Sequence, residues 1–269
     1  MNTPGTGAKV RLVVSGAGGR MGTTIASLAA LDERIDIVGG IDREGANAAA
    51  STYPRVTTPE AAGDLIAAAD VVLDFSHPDF LARLLDVQQD ALADRALVVG
   101  TTGLDEAVTA RLDRAAERSA VLVASNFSVG VNVLLALVEE AARRLPADRY
   151  DVEVVETHHR FKADAPSGTA ISLARAVAAG RGIALEDARR DGRSGHVGER
   201  PAGEIGMHAV RGGGVYGEHE VLFLGEREKL VLAHGALDRA LFAEGALVAT
   251  RWIAGRGPGR YEMRQVLGL

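Results

Sequence analysis

Apolar positions in the first half of the chain fall in short continuous runs, whereas in the second half they alternate with polar ones. Val10-Arg11-Leu12-Val13-Val14-Ser15 stops at glycines, and Met21 to Ala30 then carries small apolar residues at helical spacing, which predicts strand, turn and helix. Ile35 to Ile41, Val71 to Phe75, Ala96 to Val99 and Val121 to Ala124 repeat the short apolar run. Helical segments are expected between them at Ala62 to Ala69, Phe80 to Asp90 and Glu106 to Arg118. Buried strands alternating with helices predict an α/β domain with a doubly wound parallel sheet, because parallel strands need crossovers and are covered on both faces.

After Asn132 a long apolar helix, Val133 to Leu145, leads into a different pattern. Tyr150 to Thr157, Gly203 to Arg211, Tyr216 to Leu224 and Lys229 to His234 read as strands, the first with Val152 and Val154 two apart between acidic neighbours. One helix is clear, with Ser167 as its N-cap and Ala170, Leu173, Ala174 and Val177 on one face. This is the pattern of a smaller α+β domain. Arg189 to Gly203 is polar and rich in glycine and arginine, and is expected to be a loop with freedom to move. Helical periodicity returns from Leu237 to Ala254.

Composition narrows the function classes. Of the 269 residues, 47% are hydrophobic and 25% charged, an ordinary globular balance. The net charge of -6, with no consecutive basic block, argues against nucleic acid as a partner. With no cysteine there is neither disulfide nor thiolate chemistry. No apolar run approaches the ~20 residues of a membrane span, and Met1 to Lys9 lacks an apolar signal core, so no membrane association and a cytoplasmic location are expected.

Candidate chemistry concentrates between Glu153 and Ala170. His158 and His159 stand where a strand hands over to a loop, Lys162 follows, and Ser167-Gly168-Thr169 open a helix whose first amides would face an oxyanion. Only Lys9, Lys162 and Lys229 are lysine among 30 basic residues, so a lysine at this place suggests a need for an ammonium that can release a proton, which guanidinium does not. Adjacent histidines on a strand point to opposite faces and do not readily share one ion, so no metal is expected.

The glycine-rich turn Gly16-Ala17-Gly18-Gly19-Arg20-Met21-Gly22 has Met21 where the usual dinucleotide pattern has glycine, and fits Gly16-x-x-Gly19-x-x-Gly22 instead. It still permits close approach of a pyrophosphate to helix amides, with Arg20 adding charge. At the end of the second strand Asp42 would bind the ribose hydroxyls of NAD and the adjacent Arg43 could accommodate the 2′-phosphate of NADP, so NADH and/or NADPH is expected. Gly100-Thr101-Thr102 and Ala124-Ser125-Asn126-Phe127 follow later strands and should open at the same sheet edge. His77 could lie near the dinucleotide or be a surface loop residue.

The run Glu153-x-x-Glu156-x-His158-x-x-x-Lys162-x-Asp164-x-Pro166-Ser167-Gly168-Thr169-Ala170 resembles the signature of the 4-hydroxy-tetrahydrodipicolinate reductases, also called dihydrodipicolinate reductases. The glycine turn, Asp74-Phe75-Ser76-His77-Pro78, Gly100-Thr101-Thr102-Gly103 and Asn126-Phe127-Ser128-Val129-Gly130-Val131-Asn132 follow that family's order, so the resemblance spans nearly the whole chain. It implies a Rossmann-like dinucleotide-binding domain from residues 1–130 plus 237–269, and a substrate-binding and tetramerisation domain from residues 131–236. It implies NAD(P)H-dependent reduction of (2S,4S)-4-hydroxy-2,3,4,5-tetrahydrodipicolinate to 2,3,4,5-tetrahydrodipicolinate with loss of water, in lysine and diaminopimelate biosynthesis. By the same likeness His158 and Lys162 are catalytic, either of them moving the proton. His159, Ser167, Gly168 and Thr169 bind the small cyclic dicarboxylate, Ala124 to Phe127 line the nicotinamide, and the assembly is a homotetramer. Two other classes stand beside it: a dehydrogenase of a linear amino acid or semialdehyde, and a dinucleotide-sensing regulator, which would leave His158 and Lys162 without a role.

Overall fold

The computed structural model describes residues 8–46 and 53–269; residues 1–7 of the N-terminal stretch discussed above lie outside them. The chain divides into two compact units, one running to Ser128 and resuming at Ala240–Leu269, the other spanning Val129–Arg239.

In the first unit the elements are β1 (Val10–Ser15), α1 (Arg20–Ala29), β2 (Ile35–Ile41), β3 (Val56–Thr57), α2 (Gly63–Ala67), β4 (Val71–Asp74), α3 (Pro78–Val87), α4 (Gln89–Leu92), β5 (Ala96–Val99), α5 (Glu106–Ala116) and β6 (Ala120–Val123). The second unit contributes α6 (Val129–Arg144), β7 (Asp151–His158), α7 (Gly168–Arg181), α8 (Leu185–Ala188), β8 (Arg189–Asp191), β9 (Ile205–Arg211), β10 (Glu218–Leu224) and β11 (Lys229–Gly235). The chain closes with α9 (Ala240–Ile253), β12 (Gly259–Tyr261) and α10 (Met263–Leu267) in the first unit.

The first sheet is parallel throughout, in the order β12-β6-β5-β4-β1-β2-β3. Its near-continuous apolar runs follow from burial on both faces. Leu12, Val14, Leu73, Val98 and Leu122 pack under α1 and α9, through Ile25, Ala26, Ala246 and Ile253. Their neighbours Val13, Val72, Leu97, Val99 and Val121 pack on the opposite face against Ile66, Leu81, Leu84 and Leu112 of α2, α3 and α5. The fold class is therefore α/β, a doubly wound, Rossmann-like sheet with a smaller α+β unit. Strand order reverses between β1 and β4, and the crevice outside the strand ends at such a switch point is where open α/β sheets bind ligands.

The second sheet has the order β11-β10-β7-β9-β8 and mixed direction, β7 running antiparallel to β10 and parallel to β9. Its inner face packs Val152, Val154, Ile205, Met207, Val221 and Phe223 against Leu134 and Val138 of α6 and Leu173, Ala174 and Val177 of α7. Three strands go beyond the sequence pattern: β3, β8 and β12 have two or three residues each, too short to display a period of two. β8 also changes the picture of the stretch 189–203. That segment begins as an edge strand on β9, and Arg193 and Arg200 reach back to the Glu153 carboxylate at 3.0 Å each.

Candidate active site

The carboxyl edge of the first sheet brings the predicted cofactor loops side by side. Backbone bonds continue the ladder one residue past the strands: Gly16 N–H to Ile41 O, Phe75 N–H to Ser15 O, Gly100 N–H to Asp74 O and Ala124 N–H to Val99 O. The glycine turn after β1, Asp42-Arg43 after β2, Gly100-Thr101-Thr102 after β5 and Ala124 to Phe127 after β6 thus share one rim. Gly16 has φ of +80°, and a Cβ there would lie 2.5 Å from the Phe75 carbonyl oxygen. At Gly22 a Cβ would lie 2.3 Å from the Gly16 carbonyl oxygen, so glycine lets α1 close onto the turn. Met21, where the usual pattern has glycine, is the second residue of α1 and packs its side chain toward the core under that helix.

Gly19 caps α1 without any side-chain bond, so the first-turn amides, which begin at Arg20, remain directed at the crevice. Asp42 accepts from Gly18 N–H at 2.6 Å and from Arg43 N–H at 2.7 Å, fixing both the turn and its own carboxylate. Arg20 and Arg43 are exposed at the rim. His77 serves as the N-cap of α3, its Nδ1 accepting from Asp79 N–H, which favours the surface reading for this residue. Gly100 leaves space for the Phe75 ring, which would otherwise be 2.3 Å from a Cβ; that ring packs on Phe127 at 5.5 Å between centroids. A dinucleotide fits this set by the close backbone approach at Gly16 and Gly22 and by the helix start that no side chain caps.

Asp74 opens one of the motifs that carry the resemblance, but no role was expected of it. It is fully buried at the switch point, where the hydroxyls of Ser15, Ser76 and Thr101 donate to it and Thr101 Oγ1 also accepts from Ser76 N–H. Burial drives the Asp74 carboxyl above its ordinary range, against the hydroxyl bonds that favour its anion. The Thr101 hydroxyl is therefore engaged within the protein, holding the β4 and β5 loops together.

In the second unit the inner face of the sheet is apolar along most of its length and turns polar at one end. Inward positions alternate along β7 as Val152, Val154, Glu156 and His158. His219 of β10 stands opposite Glu156, and Arg211 of β9 opposite His158. Glu156 is 1% exposed and accepts four bonds. Arg211 binds it through both terminal nitrogens at 2.7 Å, Ser167 N–H donates at 3.0 Å, and His158 Nδ1 lies 2.5 Å away. Burial raises the Glu156 pKa, but the Arg211, His158 and Ser167 bonds outweigh it and hold the carboxyl below its ordinary range.

Beyond β7 the chain turns through His159, whose Nδ1 accepts from Phe161 N–H, to Lys162, whose Nζ lies 2.9 Å from both oxygens of Asp164. The Lys162 bond, with its charge, holds Asp164 below its usual range. Arg211 also donates to the Asp164 carbonyl, so the same guanidinium ties the turn to the sheet. Ser167 caps α7, accepting from Ala170 N–H at 3.2 Å, and its hydroxyl lies 3.0 Å from His219 Nε2. Burial, and next the neighbouring His158 charge, push His219 down to about 4. Ser167 thus has its hydroxyl and its N–H both engaged inside the protein, which orders the turn that opens α7.

The structure brings His158, Lys162, Ser167, Gly168 and Thr169 to one end of the second sheet, and adds Glu156, Arg211 and His219 as partners. The last two lie more than 50 residues from Glu156 in sequence and join it only through strand register. Their signal was an inward position: Arg211 continues the alternation of Ile205 and Met207, and His219 that of Val221 and Phe223.

Comparison with known proteins places both units. Residues 10–127 match the family profile described as dihydrodipicolinate reductase, N-terminus, and residues 130–267 that of its C-terminus. A 4-hydroxy-tetrahydrodipicolinate reductase of Caulobacter vibrioides is 44% identical over 261 residues, 96% of this chain and 97% of the relative. Its counterpart in Thiobacillus denitrificans is also 44% identical, over 97% of this chain and 99% of the relative. Among solved structures, a dipicolinate-bound dihydrodipicolinate reductase from Paenisporosarcina sp. TG-14 superposes with a TM-score of 0.74 at 24% identity, covering 94% of this chain and 97% of that one. A scyllo-inositol dehydrogenase from Lactobacillus casei shares the fold at a TM-score of 0.56 and 12% identity, over 97% of this chain and 89% of that one.

Proposed function

The chain belongs to the dihydrodipicolinate reductase family, and we infer its reaction from that membership. It reduces (2S,4S)-4-hydroxy-2,3,4,5-tetrahydrodipicolinate to 2,3,4,5-tetrahydrodipicolinate with loss of water, in lysine and diaminopimelate biosynthesis. The observation that carries this reading is the 44% identity along 96% of the chain with a curated enzyme of that name. The alternative of a dinucleotide sensor gives the polar end of the second sheet no role.

NADH or NADPH, when bound, supplies the hydride. The amides at the start of α1 would hold the pyrophosphate, Asp42 the ribose hydroxyls, Arg43 a 2′-phosphate, and the backbone of Ala124 to Phe127 the nicotinamide. In the second unit the Gly168 and Thr169 amides would bind one substrate carboxylate, and His159 would contact the ring. Hydride addition pushes negative charge through the conjugated system, and His158 or Lys162 returns a proton to it. Ser167 supports this arrangement by closing the turn. No metal takes part in this scheme. The outer face of the second sheet leaves Val210 and Val231 exposed, and supports a homotetramer built through that face. A cytoplasmic location fits a biosynthetic enzyme of this kind.

The test is a direct assay: freshly made hydroxy-tetrahydrodipicolinate with NADH or NADPH, followed by the loss of reduced-nicotinamide absorbance. Turnover with either cofactor is expected. A folded protein that consumes neither would overturn the reading.

A further inference from the structure

We propose that Glu156 is a positioning residue that fixes the tautomer of His158, so that its Nε2 is the atom that exchanges protons with the substrate. The proposal rests on the reaction assigned above. It begins from donors and acceptors: a carboxylate accepts only, and all four bonds at Glu156 come from donors. His158 must therefore carry a hydrogen on Nδ1 while Glu156 is ionised. Any second proton resides on Nε2, and once it is given up the ring is left as the Nδ1–H tautomer, already satisfied by Glu156.

Nε2 lies on the side of the ring away from Glu156, beside Gly217. A Cβ at Gly217, the residue just before β10, would lie 2.9 Å from that nitrogen, so only glycine leaves room for the ring there. The charged and titratable groups packed about the ring are Glu156 on its own strand, Arg211 opposite it on β9 and His219 on β10 with ring centroids 5.1 Å away. Of these, only Glu156 bonds Nδ1.

Glutamine at position 156 makes the idea testable, because its amide can replace only one oxygen. With the NH2 on the Oε1 side it would oppose two donors, Ser167 N–H and Arg211 Nη2. On the Oε2 side it would oppose one, Arg211 Nη1, and could donate to His158 Nδ1. The second orientation is favoured, and it reverses the ring by making Nδ1 an acceptor and moving the hydrogen to Nε2. Ser167 N–H keeps its acceptor in that orientation, so the anion-binding turn is undisturbed.

The experiment is 15N NMR of the histidine rings in the full-length protein, with His158 assigned by His158→Gln, together with kinetics of Glu156→Gln, Glu156→Asp, His158→Gln and the Glu156→Gln/His158→Gln double variant. In the wild type, neutral His158 should carry its hydrogen on Nδ1; in Glu156→Gln the two nitrogen signals should exchange character. Turnover should fall by ~10²-fold or more, the range of a lost general acid, while pyridine-2,6-dicarboxylate binding changes less than about threefold. Glu156→Asp, which keeps the charge, should recover part of the rate. In the His158→Gln background, Glu156→Gln should cost almost nothing further, as expected of a group acting through His158. An Nε2–H tautomer in the wild type overturns the proposal however the variants fold, and so does a full multiplicative loss in the double variant. If the wild type does not turn over the dicarboxylate, the assigned reaction fails, and the tautomer measurement separately decides the role of Glu156.

Discussion

Replacing His219 with glutamine should flatten the dependence of stability on pH below neutrality. His219 is 4% exposed and held neutral, and burial together with the His158 charge brings its pKa from 6.5 to about 4. Between those values the unfolded chain binds a proton that the folded protein refuses, so stability rises with pH there. The stabilisation is fully present above 6.5 and is lost as pH falls toward about 4. At ~1.36 kcal/mol per pH unit the complete effect is roughly 3 kcal/mol, and integration of the proton linkage gives about 2 kcal/mol lost between pH 8 and pH 5. The assay is urea unfolding followed by circular dichroism at those two pH values, for the wild type and His219→Gln. Carboxylates such as Glu156 contribute nearly equally to both proteins, so the difference between the two pH changes isolates His219. Equal changes in the two proteins would refute the argument and place the ring in contact with water.

His158→Gln and Lys162→Ala should each lower kcat by ~10²–10⁴-fold while leaving the Kd for NADH, measured by fluorescence, unchanged. Asp42→Ala removes the acceptor of Gly18 N–H along with the acid expected at the ribose, so both cofactors should weaken. The ratio of their Kd values should still shift toward NADPH by about tenfold or more, since a carboxylate opposes a 2′-phosphate; an unchanged ratio would move Asp42 away from the ribose. Gly22→Ala sets a Cβ 2.3 Å from the Gly16 carbonyl oxygen and 2.7 Å from that of Ala17. It should cost roughly 1–3 kcal/mol in thermal or urea unfolding and weaken both cofactors together.

Much of the fold was legible because burial on two faces leaves a strong signature: β2 and β5 match the apolar runs residue for residue. The motif from Glu153 to Ala170 was legible for a different reason, since its groups are contiguous and one turn brings them together. Arg211 and His219 were not, because a partner across a sheet is specified by register, and register emerges only when both strands are placed. Asp74 was visible in its motif but its role was not, because an acid at the end of an apolar run reads as the first residue of a loop rather than as a buried hub. Ser167 shows the converse limit. Its place at the start of a helix was plain, but only the β10 partner reveals that its hydroxyl is directed inward.

The two buried acids, Asp74 and Glu156, solve one problem in two ways. Each stands beside a place assigned to an anion, the dinucleotide phosphates or a dicarboxylate, where an uncompensated carboxylate would repel the ligand by several kcal/mol; two unit charges ~4 Å apart interact by ~4 kcal/mol at an effective dielectric of 20. Asp74 has three hydroxyl partners and no cation among its bonds, and its pKa rises, which disfavours the charge itself. Glu156 keeps its charge and is matched by the two nitrogens of Arg211. The difference follows from what each carboxyl must do. At the switch point it need only join loops, which a neutral acid also does; beside His158 donors meet both of its oxygens, two at each, which leaves no place for a proton and so requires the anion. Arg211 is what would make that anion compatible with the dicarboxylate proposed for the start of α7.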